Sequence, residues 1–254
     1  MPILAERGYV IPAVNTDSVS YTDCAEQLAM SIKSWHPNAS VSIMTNDRCD
    51  WSVFDHVIEL PYGDQGGYAN DWQVFSASPY RQTIKLEADM LIASPIDHWW
   101  TMFEHRDVVI STGCRDFYNQ TATSRYYRKF IDDNHLPDVY NAITYWRLSA
   151  TAQEFFDLVR GIFEHWKDYK RLVKFPEDAP STDFVYAMAA QIMGPERVTM
   201  PYASYPNIVH MKRHVIGTST NSWTRELVWE LDPLRIQTVA QWGAFHYHIK
   251  DWLL

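Results

Sequence analysis

The chain has 254 residues, 46% of them apolar and 15% aromatic, which is enough for one large domain with a substantial core. Its formal net charge of -9 excludes the global basic field that nucleic-acid-binding domains carry. Its three cysteines are odd in number and lack metal-binding spacing, which favours a reducing compartment over a disulfide framework.

The amino-terminal part has the pattern of a nucleotide-binding half-fold. Glu6 and Arg7 come too early for a signal peptide, and no apolar run is long enough to span a membrane, so we expect a soluble cytoplasmic protein. A buried strand is predicted over residues 8–14, then an amphipathic helix, then a second strand over 41–45. Each strand is followed by polar residues, and open α/β sheets bind ligands at the carboxyl ends of their parallel strands.

A third strand is predicted over residues 54–60, before a loop over 61–70 that is rich in glycine and aromatic residues. The loop has neither the GxxxxGK nor the GxGxxG pattern, which excludes a P-loop and a Rossmann fingerprint. A short helix over 71–78 would deliver Arg81 and Lys85 towards a diphosphate, where cations offset the charge of a leaving group. The alternative is that both cations face solvent, since side chains alternate along a strand.

The most informative stretch is residues 80–97, Y-R-Q-T-I-K-L-E-A-D-M-L-I-A-S-P-I-D. Its apolar, partly β-branched run is bounded by Ser-Pro on both sides and predicts a buried strand. Glu87 and Asp89 lie inside the run, and two close anions in a buried strand are very costly unless something compensates them. Mg²⁺ or Mn²⁺ would do so, since both take carboxylate oxygens. The alternative is an edge strand with both acids in solvent.

The segment Leu86-Glu87-Ala88-Asp89-Met90-Leu91 resembles L-D-A-D-M-L, a signature of metal-dependent glycosyltransferases with the GT-A fold, of the glycogenin and bacterial galactosyltransferase type. The first Asp of that signature is Glu87 here. The resemblance implies a single GT-A, Rossmann-like α/β domain with a mixed, mostly parallel sheet flanked by helices. It implies Mn²⁺ or Mg²⁺ on Glu87 and Asp89, with the diphosphate of a nucleotide sugar beside them. It also implies that the polar turns after the first two strands hold the base and ribose, through Asn15, Thr16, Asp17, Tyr21 and Asp47.

Two later segments resemble the acceptor side of the same family. Residues 139–146, V-Y-N-A-I-T-Y-W, predict a strand similar to the family's F-N-A-G-V strand, which implies an acceptor-binding role for Asn141. A helix opens at Pro180-Ser181-Thr182-Asp183, where an Asp ordinarily serves the cap and the helix dipole. The resemblance implies instead that Asp183 faces the sugar and the acceptor, as a base or to position the hydroxyl. Asp183 is therefore our candidate catalytic residue.

The family closes its metal site with a late histidine, followed by a lysine that meets the phosphate. Val209-His210-Met211-Lys212 fits this pattern, and so does the terminal H-Y-H-I-K-D-W, residues 246–252. We choose His210 because it follows the Asp183 helix at the expected place, and keep His248 as the second candidate. Lys212 is then expected at the phosphate. A lone histidine is more often structural, which is the alternative for each.

These features predict a metal-dependent glycosyltransferase, with a nucleotide-sugar-binding half over residues 1–112 and an acceptor half with a carboxyl-terminal extension over 113–254. The resemblance implies no cofactor beyond the divalent ion. One alternative is a noncatalytic module that binds nucleotide sugars or carbohydrates, since a fold does not secure an activity. Another is a metal-dependent nucleotidyltransferase, which would release pyrophosphate.

The acceptor is expected to be a hydroxyl group. Some phage enzymes of this broad class glycosylate hydroxymethylated bases in DNA, and 5-hydroxymethylated pyrimidines in DNA are our first specific expectation. Basic islands at residues 125–129, including Arg128, at 167–174 and at 212–214 suit phosphate contact and base stacking. A glycan or glycolipid is the alternative acceptor, because aromatic side chains stack on sugar rings equally well.

Overall fold

The computed structural model describes residues 3–48, 50–62, 67–115, 128–200, 208–210, 215–218, 227–231, 236–240 and 243–247. Its strands are β1 (Ala5–Pro12), β2 (Val41–Met44), β3 (His56–Ile58), β4 (Tyr80–Leu86), β5 (Met90–Ile92), β6 (Val108–Thr112), β7 (Val139–Arg147), β8 (Ile208–His210), β9 (Val215–Thr218), β10 (Leu227–Leu231), β11 (Ile236–Ala240) and β12 (Ala244–His246). Its helices are α1 (Tyr21–Trp35), α2 (Val74–Ala77), α3 (His98–Phe103), α4 (Arg128–Asp133), α5 (Ala150–Glu164), α6 (Trp166–Leu172), α7 (Thr182–Met193) and α8 (Pro195–Val198), with a 3-10 helix at Gly67–Gln73.

The central sheet has six strands in the order β3-β2-β1-β4-β7-β6. β1 pairs in parallel with both β2 and β4, and β2 pairs in parallel with β3. β7 is antiparallel to β4 on one side and to β6 on the other, so it is the one strand of this sheet that runs against the rest. The sheet is therefore mixed and mostly parallel, as the sequence predicts.

Both faces of the sheet are covered, and the strands are apolar on both sides for that reason. Tyr9 and Ile11 of β1 pack in the core on one face, together with Leu28 and Ile32 of α1. Val10, between them, packs in the opposite core, which α5 and α7 cover. This alternation is the period-two pattern of a strand whose two faces are both buried.

The predicted run over residues 80–97 is not one strand. It divides at Glu87-Ala88-Asp89, which form a turn between β4 and β5. β4 belongs to the central sheet, whereas β5 pairs with β12 in a second sheet of order β5-β12-β8. The two acids thus lie at the junction of two sheets and not within a strand.

Two further predictions concern membrane-spanning segments and the cysteines. Within the described residues, no helix combines the length and the apolarity needed to cross a membrane. Cys24 and Cys114 are buried and form no disulfide within the described residues, and Cys49 lies outside those residues.

Candidate functional site

A cleft of about 250 Å³ opens at the carboxyl ends of β1 and β4. In the sheet, β1 lies between β2 and β4, so the chain continues to one side of β1 with β2 and β3 and later to its other side with β4. Ligands of open α/β sheets bind at such a switch in strand order. Pro12 and Val14 line the cleft from the end of β1. The polar side chains that line it are Tyr21, Tyr62, Asp71, Lys85, Glu87, Asp89, Asn141, Thr182 and His246.

The acidic turn is held in place by backbone hydrogen bonds to two other strands. The Glu87 N–H donates to the Ala142 carbonyl at 3.1 Å, which ties the turn to β7. The Tyr247 N–H donates to the Asp89 carbonyl at 3.0 Å, which ties it to the end of β12. The two carboxylates therefore project from a backbone that is fixed on both sides.

His246 completes a cluster with the two carboxylates. Its Nε2 lies 2.9 Å from Asp89 Oδ1 and 3.4 Å from Glu87 Oε2. One ligand atom from each of the three side chains lies within 4.8 Å of the others, and among the described residues this is the group of acids and histidines that could hold a metal ion. The Tyr140 hydroxyl forms a hydrogen bond with the other ring nitrogen, Nδ1. Such a partner fixes the ring and is what a metal-binding histidine ordinarily has on its second nitrogen.

The cluster is electrostatically unusual. Burial raises the pKa of the Glu87 carboxyl to about 7, His246 opposes that rise, and the neighbouring Asp89 adds to it. The Asp89 side chain is 11% exposed and the His246 side chain 8%, while Glu87 reaches the cleft surface with 37% of its side chain exposed. Burying acids this close together disfavours their ionised forms, which a bound cation would favour.

His246 is not one of the two histidines predicted from the sequence, which are His210 and His248. β12 lies between β5 and β8, and this pairing sets His246 opposite Met90, next to Asp89. His210 is the backbone partner of His246 in β8, but its side chain lies outside what the structure describes. His248 and Lys212 also lie outside the described residues, so their predicted roles stay predictions. The terminal histidine pair was visible in the sequence, but nothing in the sequence fixes the strand pairing that selects His246.

Asn141 and Asp183 are brought together by an irregular stretch of β7. Its pairing with β6 shifts register between Ile110 and Thr112, and Ser111 there donates to the Tyr140 carbonyl and accepts from the Ile143 N–H. The Asn141 N–H donates instead to Asp183 Oδ1, at 2.7 Å. Asp183 lies in the first turn of α7 and is 8% exposed. Its neighbour Thr182 lines the cleft, and the Asp183 charge contributes to the raised pKa of Glu87.

Lys85 lies in the cleft wall and is buried. Its ammonium is 2.9 Å from Asp71 Oδ2, and the two side chains are each 5% exposed. The Tyr186 hydroxyl donates to the same Asp71 oxygen at 2.8 Å, and Asn141 Nδ2 donates to it at 3.3 Å. The alternative of a solvent-facing lysine is therefore wrong. Asp71 and Tyr186 were not found from the sequence, since a single Asp in a polar loop carries no signal of its own.

The predicted nucleoside contacts gather at the end of β1. The Asn15 N–H donates to Asp47 Oδ2 at 2.7 Å, so the turns after β1 and β2 meet. Tyr21 lines the cleft, and burial raises the pKa of its hydroxyl to about 12, with a further rise from Asp89. Thr16 and Asp17 are exposed, and the Thr16 hydroxyl accepts from the Val19 N–H at 3.1 Å.

Two predicted cations, Arg81 and Arg128, are not among the described residues that line the cleft. Arg81 is near the beginning of β4, whereas the cleft is at its other end, about 20 Å away at some 3.3 Å per residue. It lies 3.6 Å from Glu6 and is largely exposed, so its expected place beside the diphosphate is wrong. Arg128 begins α4, and its guanidinium is paired with Asp132 at 3.0 Å and with Asp138 at 2.5 Å.

No protein-family model and no curated protein sequence matches the chain. Solved structures match it in shape. The galactosyltransferase LgtC, in complex with donor and acceptor sugar analogues, aligns over 94% of this chain and 86% of its own, with a TM-score of 0.51 and 12% identity. Mouse xyloside xylosyltransferase 1 aligns over 96% of this chain and 98% of its own, with a TM-score of 0.53 and 9% identity. At such identity the likeness shows the fold, and the predicted α/β domain of GT-A type is confirmed.

Proposed function

We propose that the chain is a metal-dependent glycosyltransferase that moves a sugar from a nucleotide-sugar donor to a hydroxyl acceptor. The observation that carries the proposal is the cluster of Glu87, Asp89 and His246 in a cleft at the carboxyl edge of a GT-A sheet. Ligands of α/β folds bind at that edge. The two fold relatives, which are transferases of galactose and xylose, agree with this assignment.

The donor atoms suit a divalent cation. Two carboxylates supply hard oxygen ligands, and one imidazole supplies a nitrogen whose ring is held by Tyr140 through Nδ1. Mn²⁺ fits this mixed set better than Mg²⁺ or Ca²⁺, which take oxygen ligands. When bound, the cation would neutralise the diphosphate that leaves the sugar.

The remaining residues take roles that follow from their places. Asn15, Asp47 and Tyr21 lie where the base and ribose would lie, with Thr16 and Asp17 at the rim. Lys85, whose charge is balanced by Asp71, gives the diphosphate a fixed N–H donor, and preorganised donors aimed at developing negative charge are an effective source of rate enhancement. Lys212, outside the described residues, is proposed to contact the same phosphates.

Asp183 and Asn141 are proposed to act on the sugar and acceptor side. The Asn141 N–H holds the Asp183 carboxylate at 2.7 Å, so the acid has a fixed position at the start of α7. A carboxylate held next to the cleft is suited to accept a proton from the acceptor hydroxyl or to orient it. The bond between the anomeric carbon and the diphosphate oxygen breaks, and the acceptor oxygen, which gives up its proton, forms a bond to the same carbon.

For the acceptor we propose a saccharide hydroxyl, free or on a glycolipid, ahead of a 5-hydroxymethylated pyrimidine in DNA. The basic islands that favoured DNA are partly neutralised in the structure: Arg128 is paired with two acids, and Lys170 lies 2.6 Å from Asp178. Paired cations offer less to a phosphate backbone, and the net charge of -9 opposes DNA further.

The first experiment is a donor screen. The purified chain is incubated with UDP-galactose, UDP-xylose, UDP-glucose and other nucleotide sugars, with Mn²⁺, Mg²⁺ or a chelator, and the release of nucleoside diphosphate is measured. We expect release with at least one donor, dependence on the cation, and loss in Asp89→Asn. Release of pyrophosphate would indicate a nucleotidyltransferase, and binding without any turnover would indicate a noncatalytic module.

The second experiment separates the acceptors. The active donor is combined with a panel of saccharides or with duplex DNA that contains 5-hydroxymethyl pyrimidines, and products are analysed by mass. A glycosyl mass shift on a saccharide supports the first proposal. A shift on the digested nucleosides would favour DNA, and product formation should then fall steeply as salt is raised.

A further inference from the structure

Asp71 is a buried acid in the wall of the cleft. The 3-10 helix Gly67–Gln73 delivers it, and it is 4% exposed. Its carboxylate accepts from Lys85 Nζ at both oxygens, at 3.1 and 2.9 Å, from the Tyr186 hydroxyl at 2.8 Å and from Asn141 Nδ2 at 3.3 Å. Three donor groups thus make four hydrogen bonds to the carboxylate, three of them to Oδ2 and one to Oδ1. Through this one carboxylate Asp71 joins Lys85 of β4, Asn141 of β7 and Tyr186 of α7.

Lys85, one of the partners of Asp71, keeps an N–H donor that Asp71 does not use. The Lys85 ammonium has three N–H donors and no acceptor. Two of them serve Asp71, and within the described part of the chain the third has no acceptor, although Lys85 lines the cleft. A buried ammonium with one unused donor is suited to an anionic or hydroxyl oxygen that arrives with a ligand.

The same carboxylate sets the orientation of Asn141. A carboxylate can only accept, so it selects the NH₂ group of the Asn141 side chain and leaves the amide oxygen to the Thr144 hydroxyl. Asn141 is 1% exposed, and its own N–H holds Asp183. One buried acid thus fixes a donor on the diphosphate side of the cleft and the β7 residue whose N–H holds the proposed catalytic carboxylate, Asp183 of α7.

We propose that Asp71 is a positioning residue for sugar transfer: it holds Lys85 so that its third N–H donates to the nucleotide-sugar donor, and it locks Asn141 beneath Asp183. The inference rests on the proposed function and adds to it a residue that acts through Lys85 and Asn141. Stability alone accounts poorly for this pair, because the desolvation of two buried charges largely cancels their attraction.

The test uses Asp71→Asn in the full chain, with UDP-galactose and any other donor that the wild type hydrolyses. We expect kcat to fall by about 100-fold, the usual scale for a misplaced reacting group. The affinity for UDP in the presence of Mn²⁺ should fall by about tenfold, while the affinity for Mn²⁺ alone stays within about twofold, because Asp71 does not contact the metal cluster. A purely structural role would lower the melting temperature and leave kcat per folded molecule unchanged.

A double-mutant cycle with Lys85→Met distinguishes positioning from an independent effect. If Asp71 acts through Lys85, Asp71→Asn should cost at most about threefold more in UDP affinity once Lys85 is already methionine. The double variant also removes both charges of the pair, so it serves if the single variant fails to fold. Asp55→Asn is the matched control. The Asp55 carboxylate lies 3.0 Å from the Lys33 ammonium, and Asp55 is not among the residues that line the cleft. The kcat of this variant should equal that of the wild type.

Wild-type kcat and UDP affinity in folded Asp71→Asn would overturn the inference, and so would a full additional loss in the double variant. Absence of donor turnover in the wild-type chain is a different result, because it would reject the proposed function and, with it, the inference about Asp71.

Discussion

Replacement of His246 by alanine tests the metal cluster most directly. A cation present at 100 times its dissociation constant stabilises the folded state by about 2.7 kcal/mol. For a domain of this size that corresponds to a rise in melting temperature of about 5–11 °C. The wild-type chain, stripped with a chelator and titrated with MnCl₂, should show a rise of this order.

The loss in the variant follows from the geometry. His246 contributes the nitrogen that lies 2.9 Å from Asp89 and 3.4 Å from Glu87, so its removal leaves two of three ligands. Since the loss of even an outer partner costs 10- to 100-fold in metal affinity, we take about 100-fold for the ligand itself. At the same MnCl₂ concentration the cation would then stabilise by about 0.4 kcal/mol, or about 1–2 °C.

The assay is differential scanning fluorimetry with and without MnCl₂, and the quantity compared is the metal-induced shift, so that a lower melting temperature of the apo variant does not matter. His105→Ala is the matched control, because His105 is exposed and lies in the turn after α3. A full Mn²⁺ shift in His246→Ala would refute the assignment. Loss of the shift in His210→Ala, with His246→Ala unaffected, would move the third ligand to β8.

Three further predictions follow from the same structure. The pKa of the Glu87 carboxyl is about 7 in the folded chain and near 4.5 in the unfolded chain, so the folded chain binds more protons between these two pH values. Without metal, the free energy of unfolding should therefore fall as pH rises from about 4.5 to about 7, and Glu87→Gln should flatten this slope in urea titrations. Asp183→Asn should lower kcat by about 100-fold or more while the donor KM changes less than about threefold, with Asp157→Asn of α5 as control, and an unchanged kcat would reduce Asp183 to a helix-cap residue. Gly8→Ala should destabilise the fold by about 1–3 kcal/mol in calorimetry, because its Cβ would lie 2.3 Å from the buried Tyr80 ring; a melting temperature equal to that of the wild type would contradict this.

The fold could be predicted because its signals are local. The apolar runs of β1, β2 and β4 and the amphipathic α1 are each visible within a few residues, and their order predicts parallel pairing. The two acids of the turn were also visible, since charge inside an apolar run is costly unless compensated. Their exact place was not, because the break between β4 and β5 depends on β12, which draws β5 into a second sheet.

The rest of the site depends on contacts between distant parts of the chain. His246 meets Asp89 through strand pairing, and Asp71 meets Lys85 and Tyr186 through the packing of a 3-10 helix against β4 and α7. Arg81 shows the opposite case: it lies only six positions before Glu87, yet β4 separates them and places Arg81 at the other end of the sheet. Sequence spacing predicts which residues share an element, but not which elements meet.

The junction of the two sheets also has a consequence for the lifetime of the fold. A cation held by Glu87, Asp89 and His246 would act as a reversible cross-link between residues 157 positions apart. Contacts of such separation form late in folding, so we expect metal to leave the folding rate almost unchanged and to slow unfolding. The bound cation would then hold β12 in place beside β5. Proteolysis at β12 should therefore require the cation to dissociate first, and its rate should report the lifetime of the bound cation.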